Sequence, residues 1–300
     1  MTSGVRGVVL RGTGGLWHVR TTAGDELDVS LRGRLKQDAQ PKLAVGDEVL
    51  LERDVRDAAW TIARILPRRS SLLRRAPGST VGERVVAANI DQVVVVFASA
   101  EPEPHHRMLD RFLVIAEAND IPARVVINKV ELVGAERAAD RFAVYARAGY
   151  PLHLVSAKRG TGLDEMGDAL RGRVSALTGP SGVGKSSLLN ALYPGLSLRV
   201  GEISRSVMKG RHTTIGALMH PLPDGGYVMD TPGLREVGIW GLAADSLDDC
   251  FPEFRPVLGD CRFADCRHLE EPGCAVRELV GRGDVSVERY ESYRKLREEL

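Results

Sequence analysis

Residues 179–186 read Gly-Pro-Ser-Gly-Val-Gly-Lys-Ser, a phosphate loop of the form G-x-x-x-x-G-K-[ST]. Its chemistry is anion binding. Gly179 and Gly184 let the backbone bend around phosphates, and the N–H groups between them point at the anion with help from the following helix N-terminus. Lys185 is expected to bridge the β- and γ-phosphates and so to act in catalysis, and the Ser186 hydroxyl to ligate Mg²⁺. The expected contact set is Gly179, Pro180, Ser181, Gly182, Val183, Gly184, Lys185, Ser186 and Ser187. An accidental glycine-rich turn is the weaker reading, because an apolar strand pattern precedes the loop and a helical one follows.

Two further runs complete a phosphate and magnesium site. Asp230-Thr231-Pro232-Gly233 ends an apolar strand, which places Asp230 to hold the Mg²⁺ shell and the Gly233 N–H to sense a γ-phosphate. Between them lies Gly210-Arg211-His212-Thr213-Thr214, where Thr213 or Thr214 is expected to complete the Mg²⁺ shell in a loop that orders with nucleotide. Leu234 stands where a water-orienting Gln would often sit. His212 is therefore a candidate catalytic replacement; its other reading is a loop histidine that helps bind phosphate or RNA.

Base recognition has its own run, Asn128-Lys129-Val130-Glu131, just after a buried strand pattern. The Asn128 amide can meet guanine O6 or N7, the Lys129 stem can cover the ring, and an acid two residues on can accept from N1 and N2. Glu131 supplies that charge with one methylene more than Asp. Ser156-Ala157-Lys158, after the next strand, matches a backbone-supported loop that touches guanine O6. Together they favour guanine over adenine, and so a GTPase over a P-loop ATPase or kinase. The base-reading run precedes the phosphate loop, the reverse of ordinary GTPases. Such a rotation is permissible because all these loops lie at the carboxyl ends of strands in one sheet, and domain termini often lie close together.

The fourth constellation is Cys261-x4-Cys266-x-His268-x5-Cys274, three thiolates and an imidazole, which is a full tetrahedral set for one structural Zn²⁺. Unliganded reduced cysteines are the blander reading, and Cys250 is left over as a core or free thiol.

Positioning these groups calls for three units. Residues 1–67 read as short strands punctuated by Gly12, Gly14-Gly15, Gly24-Asp25 and Gly46-Asp47, a β-barrel of roughly five strands of the oligonucleotide-binding kind. Residues 68–240 alternate strands and helices, a doubly wound α/β P-loop domain, circularly permuted. Its elements are strands at 90–98, 123–127, 152–155, 174–178 and 227–229 and helices at 106–119, 134–148 and 186–192, the first with Met108, Leu109, Phe112, Leu113 and Ile115 inward. Residues 67–82 read as a linker or mobile loop. Residues 241–300 read as a zinc-binding, mainly α unit ending in an amphipathic helix over 287–300 with Tyr290, Tyr293 and Leu296 on one stripe.

Bulk numbers narrow less. Lys plus Arg (41) nearly cancels Asp plus Glu (40), so net charge argues neither for nor against nucleic acid. Arg64, Arg68, Arg69, Arg74, Arg75 and Arg84 crowd one stretch, as a phosphate-backbone patch or a solvated face would. With no signal-peptide pattern and no membrane-length apolar run, a soluble, cytoplasmic chain is expected, where disulfides are not the purpose of the cysteines.

The order of these motifs resembles the circularly permuted GTPases. With the barrel, the Cys-Cys-His-Cys cluster and the runs Leu66-Pro67-Arg68-Arg69-Ser70 and Asn89-Ile90-Asp91-Gln92, nearly the whole chain is similar to the RsgA family of small-ribosomal-subunit biogenesis GTPases. The resemblance implies GTP hydrolysis to GDP and phosphate, stimulated by the 30S particle late in its maturation. It implies 16S rRNA contacts through the barrel and zinc unit, a monomer, and His212 as the switch histidine of hydrolysis. Glu131 departs from the family's usual Asp. The alternative is a nucleotide-gated rRNA-binding module with negligible hydrolysis.

Overall fold

The computed structural model describes residues 4–31, 42–53, 59–74, 84–196, 198, 217–230 and 244–300. The first unit is a closed five-stranded barrel in the order β1-β2-β3-β5-β4. Its strands are β1 (Val5–Thr13), β2 (Leu16–Thr21), β3 (Glu26–Leu31), β4 (Glu48–Arg53) and β5 (Trp60–Ile65). All neighbours are antiparallel except β3 and β5, whose parallel pairing closes the ring. Val9, Val19, Val29, Val49, Leu51 and Ile62 fill the interior, as the period-2 alternation of apolar residues requires.

The segment expected as a linker is partly built into the fold. β6 (Ser71–Arg74) pairs with β7 (Arg84–Ala88) as an antiparallel ribbon. Before it, the Arg68 guanidinium donates to both carboxylate oxygens of fully buried Asp47, at 2.6 and 2.8 Å. Asn89 donates to the Gly46 carbonyl and accepts from the Arg69 N–H. The joint between barrel and α/β unit is therefore tied by buried polar contacts, which residue composition alone does not disclose.

The α/β unit is a six-stranded sheet in the order β10-β9-β8-β11-β13-β12. It comprises β8 (Gln92–Ala98), β9 (Ala123–Asn128), β10 (Leu152–Leu154), β11 (Val174–Thr178), β12 (Leu218–Pro221) and β13 (Tyr227–Asp230). All pairs are parallel except β12–β13. Every residue of β8 is buried, as expected of a central strand covered on both faces. Among the described residues its helices are α1 (His106–Glu117), α2 (Ala135–Arg147), α3 (Leu163–Leu170) and α4 (Lys185–Leu192). The edge strand β12 and helix α3 had no counterpart in the sequence reading.

The C-terminal unit carries α5 (Ala275–Arg282) and α6 (Val287–Glu298). It packs on α1, and its apolar residues join the same core as one face of the sheet. This explains a misreading: Met108 is exposed, whereas Asp110 is buried, because α1 is covered by both the sheet and the C-terminal unit. Asp110 faces Arg289 of α6 at 2.6 Å, each side chain 2% exposed. The same guanidinium makes a two-pronged contact with Glu253, at 2.7 and 3.0 Å, and lies 4.6 Å over the Phe251 ring. Burial opposes the Arg289 charge, and Asp110 and Glu253 more than restore it. Arg255 with Glu117 and Arg111 with Glu299 add pairs nearer the surface. Among the described residues no helix is long and apolar enough to cross a membrane.

A buried charge left alone costs about 3–5 kcal/mol, whereas an exposed pair is worth under about 1 kcal/mol. Arg289→Met should lower stability by roughly that larger amount and expose the C-terminal unit to limited proteolysis. Arg255→Ala should change little in urea unfolding; equal effects of the two would contradict the asymmetry.

Candidate functional site

The phosphate loop joins β11 to α4, and its two outer glycines are demanded by close approach. Gly179 has φ +134°, and a Cβ there would stand 2.0 Å from the Val96 carbonyl oxygen. Gly184, at φ +92°, caps α4, and a Cβ there would stand 2.5 Å from Asn128 Nδ2. Lys185 and Ser186 form the buried first turn of α4. The Lys185 ammonium donates to the carbonyls of Gly179 and Pro180, at 2.8 and 2.7 Å, so it stands inside the loop. Ser181, Gly182 and Ser187 face solvent, and Val183 anchors the loop in the core.

Asn128, the last residue of β9, brings the reversed motifs together. Its Nδ2 donates to the Val183 carbonyl at 3.0 Å, 55 residues along the chain. Its Oδ1 accepts from the Ala157 N–H at 3.1 Å. One amide thus stitches the base-reading loop to both the phosphate loop and the Ser156-Ala157-Lys158 loop. Lys129 follows at φ +61°, in the left-handed region, with its ammonium donating to the Glu101 carbonyl.

Glu131 lies in a short 3-10 turn, Val130–Leu132. Burial works to raise its carboxyl, but hydrogen bonding from Ser156 and its own backbone, with Arg159 and Lys158 nearby, holds it below the usual range. Its Oε2 is buried and accepts no hydrogen bond. An ionised carboxylate with one oxygen that takes no hydrogen bond from the protein is the kind of acceptor that guanine N1–H and N2–H would call on. Ser156 is buried, and its Oγ accepts from the Arg159 N–H at 3.0 Å, which shapes the third loop; Lys158 is exposed.

Asp230 ends β13 beside β11, at the same sheet edge as the phosphate loop. His212, Thr213, Thr214 and Gly233 lie outside the described residues.

The Cys261, Cys266, His268 and Cys274 ligand atoms all lie within 4.8 Å of one another. His268 Nδ1 is 3.5 Å from Cys261 Sγ and 3.4 Å from Cys274 Sγ. Zinc bonds of about 2.0–2.3 Å in a tetrahedron put ligand atoms about 3.5–3.8 Å apart, so the set fits one Zn²⁺. Sequence reasoning missed Asp248, whose Oδ2 is 3.3 Å from His268 Nε2. Burial works to lower the His268 pKa, and Asp248 and the Cys261 sulfur more than offset it. A carboxylate there orients the ring and makes it a better ligand. No spacing rule points to Asp248, because its loop precedes the cluster and meets it only through folding. Tyr290 and Tyr293 donate to the His268 and Arg267 carbonyls, at 2.7 and 2.8 Å, tying the cluster to α6. Cys250 is a buried core thiol, pushed up to about 12 by burial.

A sequence model of the RsgA GTPase family matches residues 65–240. A relative from Gemmatimonas aurantiaca, named small ribosomal subunit biogenesis GTPase RsgA, is 60% identical over 100% of this chain and 99% of its own. One of the same name from Azotobacter vinelandii is 44% identical over 85% of this chain and 74% of its own. Among solved structures, YjeQ from Thermotoga maritima superposes with a TM-score of 0.78 at 34% identity, covering 99% of this chain and 98% of that one. YloQ, described as a circularly permuted GTPase, gives 0.77 at 27%, covering 99% and 95%.

Two outcomes test the geometry. Gly184→Ala sets a Cβ against Asn128 and strains the backbone, so affinity for a fluorescent GDP analogue should fall about 10–100-fold. Asp248→Asn should weaken zinc about 10–100-fold in competition with a chromogenic chelator; an unchanged zinc affinity would remove Asp248 from the metal site.

Proposed function

The chain belongs to the RsgA GTPase family, and from that membership we infer that it hydrolyses GTP to GDP and phosphate on the maturing 30S ribosomal subunit. The observation that carries the nucleotide half is the Asn128 side chain, hydrogen-bonded at once to the phosphate loop and to the Ala157 loop. The relatives' shared name supports the ribosomal half, as do a five-stranded barrel and a cysteine-rich unit flanking the GTPase core.

In this reading Asn128, Lys129, Glu131 and the Ser156-Ala157-Lys158 loop hold guanine. The loop from Gly179 to Ser187 cradles the phosphates, and Lys185 turns from its own loop's carbonyls to the β- and γ-oxygens. Mg²⁺, held by Ser186 with Asp230 and Thr213 or Thr214, would neutralise charge developing on the phosphates. His212 positions the attacking water, since Leu234 offers no polar group. The Gly233 N–H senses the γ-phosphate. Cys261, Cys266, His268 and Cys274 hold one structural Zn²⁺, and the barrel and zinc unit contact 16S rRNA. The protein acts as a cytoplasmic monomer, divided at 1–67, 68–240 and 241–300.

Partner stimulation is expected to be large, as GTPases completed by a second molecule gain about 10³–10⁵-fold. GTP turnover titrated with purified 30S subunits should rise steeply and should not respond to 50S, and Lys185→Ala should abolish the stimulated rate. Flat turnover with retained GTP-dependent 30S binding would instead assign a nucleotide-gated rRNA-binding module.

A further inference from the structure

We propose that Ser99 is a positioning residue of the nucleotide site, its hydroxyl pinning Lys129 in the pose that lays the lysine stem across guanine. This rests on the guanine-nucleotide reading above.

Ser99 follows β8 and is fully buried. Its N–H donates to the Asn128 carbonyl at 2.8 Å, continuing the β8–β9 register. Its hydroxyl then donates to the next carbonyl, that of Lys129, at 2.7 Å. One residue thus fixes two successive peptide groups of the base-reading loop. Lys129 needs that support. With φ +61° and ψ +31° it occupies the left-handed region that a side-chain-bearing residue disfavours, and such a conformation persists only where its surroundings over-determine it.

The far end of the same side chain is held too, because its ammonium donates to the carbonyl of Glu101. Backbone and ammonium are both anchored to the segment 99–101, so the aliphatic stem is held at both ends. That segment is fixed in turn. The Ser99 carbonyl accepts from Arg141 of α2 at 3.4 Å, and Pro102 Cδ lies 3.7 Å from where a Gly182 Cβ would stand. The turn after β8 therefore borders the base-reading and phosphate loops together.

Losing one such hydrogen bond is worth about 2–12-fold in affinity. The competing account is that the hydroxyl only satisfies a buried carbonyl, in which case its loss lowers stability without touching base preference. Equilibrium binding of fluorescent GDP and ADP analogues to the full-length chain separates the two. In Ser99→Ala, GDP affinity should fall about fivefold while weak ADP binding stays, so the GDP/ADP ratio falls by the same factor; Ser99→Thr, which keeps the hydroxyl, should restore the ratio. Ser99→Cys, close in size but a weak donor, carries the expectation of the alanine variant should that variant fail to fold. A ratio unchanged from wild type, with or without a lower melting temperature, overturns the proposal. A wild type with no preference for GDP removes the guanine reading and this inference with it.

Discussion

The Asn128 carboxamide is the interaction on which the rest of the site depends. It is 2% exposed, and both its donor and its acceptor are engaged with loops that are far away in sequence. In so dry a place either group left unpaired would cost more than the bond is worth in water. The loops therefore close around it as a set: Gly184 must lack a side chain, Val183 must turn its carbonyl inward, and Ala157 must present its N–H. None of these demands refers to the order in which the chain supplies the parts. Parallel strands deliver all of their carboxyl ends to one edge, so a chain that begins with the base-reading strand builds the same site as one that begins with the phosphate loop.

Helix α1 has the second organising role. One side covers the sheet, and the other receives the C-terminal unit through Asp110, Arg111 and Glu117. The zinc-type cluster is anchored to the adjoining helix by two tyrosine hydroxyls. α1 starts within a few residues of the turn that holds Lys129. The C-terminal unit is thus bound to the nucleotide domain by the helix that follows the turn after β8, in addition to the chain connection after Gly233.

What the sequence disclosed and what it withheld follow a physical division. Glycines at tight turns, a lysine and hydroxyl at a helix start, and soft ligands a few residues apart are local requirements, and local requirements leave spacings that can be read. The phosphate loop, the cysteine cluster, the strands read at 174–178 and 123–127 and the stripe of Tyr290, Tyr293 and Leu296 all belong to that class. Asp248, Ser99 and Arg289 do not. Each meets its partner only after the chain has folded, and in sequence each is an ordinary polar residue. Met108 was misplaced for a related reason: helical periodicity finds one apolar stripe, whereas α1 has two covered sides, one of them lined by charge. Glu131 falls between the two classes. Its type was legible, but the surroundings of its carboxylate, a hydrogen bond from Ser156 and a buried oxygen, come only with folding.

The Asp110–Arg289 contact spans 179 residues, most of the chain. A polypeptide leaving the ribosome presents the acid long before the base that answers it has been translated. Until α6 emerges, the outer face of α1 keeps its carboxylate in water and its apolar neighbours uncovered. Closure of the molecule is accordingly deferred until α6 has been made, and a chain without that helix would carry an open seam along its nucleotide domain.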